Sequence, residues 1–142
     1  MNSSFYNRQD QLIGVSIKLM DNMLKGGTIA LKNFIDNEFV KLPDPIYLVY
    51  KNCLYMVIEG KNPEQLKLLM EFEKISWICD RTSKDDLKII AIIQSLIPII
   101  QEYDISSFID IIYCLLPKRK ADEISDNTNF IKEYIEETYN QK

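Results

Sequence analysis

Catalysis and metal binding need nucleophiles, proton carriers or ligating atoms in definite patterns, and this chain is short of them. It contains no histidine among its 142 residues. That one absence removes every Ser-His and Cys-His nucleophile pair and every imidazole metal ligand. The three cysteines, Cys53, Cys79 and Cys114, are odd in number, widely spaced and set among apolar neighbours, so neither a disulfide framework nor a zinc spacing is present. They read as reduced, buried thiols in a cytosolic protein. Asp80, Asp85 and Asp86 fall close together with Arg81 and Lys84 between them. A calcium loop would alternate oxygen ligands around a central glycine, and this stretch does not, so capping and solvation account for these acids. Gly26-Gly27-Thr28 lacks the preceding strand and the Lys-Ser/Thr of a phosphate loop and reads as a turn. No cofactor and no metal is expected, and an enzyme is disfavoured.

Charge narrows the partners. The formal net charge is -4, and from Ala121 onward six acids face two lysines, so the rest of the chain is neutral overall. Such a balance does not suit a nucleic-acid binder. Lys118, Arg119 and Lys120 form the one basic cluster, a candidate for a weak anion contact that also suits the negative end of a preceding helix. The polar N-terminus, MNSSFYNRQDQ, has no apolar stretch of the kind a secretion signal needs. Isoleucine occurs 22 times against four valines, a usage common in AT-rich genomes, which hints at a viral, phage or bacterial origin.

The elements that would position any site are all helical. From Leu87 to Ile100 the chain reads LKIIAIIQSLIPII, apolar at almost every position, and such a helix belongs in the middle of a protein. The run is too short for a membrane span and too long for an ordinary strand. Ser83 with Asp86 three positions on makes a helix start, and Pro98 should kink or end the helix about one turn before Asp104. Six further helices are expected around this central one, which covers about 84–102. Two lie at about 4–24 and 28–40, separated by the glycine pair, and a third begins at Asp44-Pro45 and runs to about Glu59. The fourth opens with Asn62-Pro63-Glu64-Gln65 and runs to about Cys79, burying Leu68, Phe72, Ile75 and Cys79 on one face with Leu66, Leu69 and Met70 beside them. After Asp104 comes a strongly amphipathic helix ended by Pro117, and the last helix spans about 126–140. The expectation is therefore an all-α, single-domain bundle of about seven helices over residues 1–142, with no membrane span.

With catalytic groups scarce and aromatic side chains plentiful, the leading functional expectation is a non-catalytic module that binds another protein. Trp77, Tyr47, Tyr50 and Tyr55 are the candidate partner-binding residues; Trp77 either closes the core edge or lines a groove. The uniformly apolar fifth helix of seven resembles the arrangement of Bcl-2-type proteins, which implies a groove for a partner helix. Ile75-Ser-Trp-Ile-Cys79-Asp80 is similar in spacing to a BH3 helix, while the family's Asn-Trp-Gly-Arg element is absent and the corresponding stretch reads Asp80-Arg81-Thr82-Ser83. A further alternative is a viral or phage structural or assembly component that forms a homo-oligomer.

Overall fold

The computed structural model describes residues 8–115, and these form five α-helices, one short 3-10 turn and no strand. In chain order they are α1 (Arg8–Glu38), the 3-10 turn (Phe39–Lys41), α2 (Ile46–Ile58), α3 (Pro63–Trp77), α4 (Lys84–Gln101) and α5 (Ile105–Leu115). The all-α class is thus observed. The count of about seven is not matched among the described residues. The helices expected at about 4–24 and 28–40 run on as α1, interrupted at Gly27, and the one expected at 126–140 lies outside the described residues.

Each boundary has a local cause. Gly27 takes φ 69° and ψ -155°, a conformation open almost only to glycine, so the break costs a single residue. Asp44 accepts the N-H of Ile46 at 3.1 Å and starts α2 one residue later than its sequence suggests. At the other end of α2, Gly60 at φ 79° donates to the Val57 carbonyl and Lys61 to that of Met56, a Schellman closure. Asn62 and Ser83 open α3 and α4 with reciprocal capping boxes, their partners being Gln65 and Asp86. Asp104 caps α5, accepting the backbone N-H of Ser107 at 3.0 Å.

Pro98 does not end α4, which continues through it to Gln101. Its ring lies on the exposed side, and the chain leaves the helix only where Tyr103 adopts φ 57°. The expectation that α4 has no face for water needs correcting too. Lys88, Ala91, Ser95 and Pro98 are exposed along one line, while Ile89, Ile90, Ile92, Ile93, Leu96, Ile97 and Ile100 are buried. Two of the exposed residues are small, one is charged and one is a proline, and together they form a narrow polar-to-neutral stripe at helical spacing.

By internal contacts the chain divides into two compact units. One is Lys32–Tyr103. Within it α2 packs against both α3 and α4, and α3 packs against α4. Polar pins join the same elements: Asn52 donates to Glu73 at 2.8 Å, Gln94 to the Met70 carbonyl at 2.6 Å and Gln101 to the Lys61 carbonyl at 2.6 Å. Phe39, Tyr47 and Tyr50 form an aromatic cluster, with the Phe39 ring 5.6 Å from Tyr47 and 5.5 Å from Tyr50, spacings that favour edge and tilted packing. The other unit takes Met1–Leu31 and Asp104–Lys142. Within its described part Leu12, Leu19, Met20, Met23, Phe108 and Ile112 are buried, and the Gln9 side chain donates to the carbonyl of Leu115.

Candidate functional site

The candidate site is one face of α3. Along this helix Leu66 and Met70 are buried and Trp77, two turns further on the same side, is half-buried. That side makes the contacts to α2 and α4. The opposite side carries Leu68, Phe72 and Ile75, which are 59%, 60% and 60% exposed, followed by Ile78 at 48%. The sequence expectation for this helix is therefore inverted. Leu68, Phe72, Ile75 and Cys79, expected in the core, face outward, while of the residues placed beside them Leu66 and Met70 are buried and Leu69 is half-buried.

The reason for the inversion is visible in the spacing. Residues 68, 72 and 75 follow the i, i+4, i+7 rule, but 66, 70 and 77 make an equally apolar line on the other side. A helix with two apolar lines does not declare which one is the core. Neighbouring elements decide, and the line of Leu66 and Met70 is the inner one because it lies against α4 beneath the Gln94 hydrogen bond. The outer line is bordered on one flank by Glu64 and Glu71 and on the other by Gln65 and Ser76, all exposed. Beside the Glu flank, Lys67 and Lys74 stand at the mouth of a shallow cleft of about 470 Å³ between α3 and α4, floored by Ala91 and Ser95.

The other sequence candidates fall elsewhere. Tyr47 and Tyr50 are only 3% and 0% exposed and are core residues of the aromatic cluster, so as partner-binding side chains they are corrected: neither has a surface to offer. Tyr55 is half-buried and its hydroxyl donates to Asp36. Lys32 binds the second oxygen of Asp36 at 3.1 Å, and Lys51 lies 5.8 Å above the Tyr55 ring. The Tyr55 hydrogen bond, with that of Lys32, holds the Asp36 carboxyl below its ordinary value, and in turn raises Tyr55. This is a pin between α1 and α2 within one unit. Trp77 sits on the inner side of α3, and its carbonyl accepts the Thr82 hydroxyl at 3.0 Å. Lys118, Arg119 and Lys120 lie outside the described residues.

The thiols behave oppositely. Burial, assisted by the nearby charge of Glu73, pushes Cys53 up to about 12. Cys79 at the end of α3 and Cys114 are exposed, so the expectation of buried thiols holds for Cys53 alone; hydrogen bonds led by that of the Thr82 hydroxyl lower Cys79. Among the described residues no group of three or more acids or cysteines is placed to hold a metal ion, and no helix is long and apolar enough to cross a membrane. In comparison with known proteins, no family model, no curated protein and no solved structure matches the chain.

Proposed function

We propose that the chain is a non-catalytic, cytoplasmic helical module that docks to protein through the outer face of α3, with α4 serving as the central helix on which α3 is mounted. The observation that carries this reading is the row Leu68, Phe72, Ile75, in which three large apolar side chains each keep about 60% of their surface in water. Isolated exposed apolar residues need no explanation, but a continuous line of them on one helix is the pattern of a helix-to-helix interface. Apolar seams of this kind bind through burial, at about 25 cal/mol for each Å² removed from water. The supporting helix α4 contributes seven buried side chains, which gives the face a rigid base.

A photoreactive residue replacing Phe72 tests the reading in the native host. Covalent protein adducts are expected from position 72 and not from Glu59, an exposed position at the end of α2. Equal labelling at both positions, or none at either, would remove the α3 face from consideration.

A further inference from the structure

We draw no further inference here: the strongest candidate, the shallow cleft of about 470 Å³ between α3 and α4 with Lys67 and Lys74 at its mouth, is lined by Glu71 and Glu102 as well, so its charges balance and nothing in the structure shows what covers it.

Discussion

At the scale of single residues, backbone conformation and thiol environment give the sharpest expectations. Gly27 occupies a φ, ψ region that a Cβ makes costly, so Gly27→Ala should destabilise the chain by about 1–3 kcal/mol, measured by urea denaturation. Tyr103 carries the opposite defect, a side chain at φ 57° where glycine is preferred. Tyr103→Gly should therefore leave stability unchanged or raise it by up to about 1 kcal/mol, although the half-exposed ring is lost. A disulfide reagent at neutral pH should label Cys79 and Cys114 in the folded protein and Cys53 only on unfolding, because Cys53 is fully buried and its thiol is held protonated. Thr82→Val should slow the labelling of Cys79, since the Thr82 hydrogen bond is what chiefly favours its thiolate. Asp104 is lowered from 3.8 by the side-chain and then the backbone hydrogen bonds of Ser107. Its folded form favours the charged state, so its contribution is fully present above 3.8 and is lost as pH falls through the lower folded value. Asp104→Ala should lower stability at neutral pH and flatten the acid limb of the stability profile, read from urea denaturation at several pH values.

At the scale of elements, the capped helix starts were plain in the sequence, whereas the expected stops at Gly26-Gly27 and Pro98 and the faces were not. Asn62-Pro63-Glu64-Gln65 and Ser83-Lys84-Asp85-Asp86 encode their capping boxes within four residues, and Gly60 its left-handed stop, so local chemistry alone reveals them. The face of α3 depends on which neighbours arrive, and its two apolar lines are locally equivalent. The same holds for α4. Its isoleucines hid the exposed line of Lys88, Ala91, Ser95 and Pro98, because Ala91 and Pro98 score as apolar while occupying solvent. Tyr47 and Tyr50 were equally opaque: an aromatic residue serves a core or an interface, and only the meeting with Phe39 assigns these two to the core. At this scale Ile93→Ala, at a fully buried position of α4, should cost about 2–5 kcal/mol in chemical denaturation, whereas Ala91→Ser on the exposed line should shift stability by less than about 0.5 kcal/mol.

At the scale of the whole molecule, the folding contacts and the proposed docking face lie on opposite sides of α3. The inner line, Leu66 and Met70, belongs to the folding of the Lys32–Tyr103 unit; the outer line, Leu68, Phe72 and Ile75, is surplus to it. The most direct test is a pair of thermal melts at dilute concentration, where association does not contribute. Leu68→Asp with Phe72→Asp should melt within a few degrees of the unmodified chain, and Leu66→Asp with Met70→Asp should fail to fold, because each buries an unpaired charge. Unfolding by the outer pair, or tolerance of the inner one, would contradict the assignment of the two faces and the docking surface built on it.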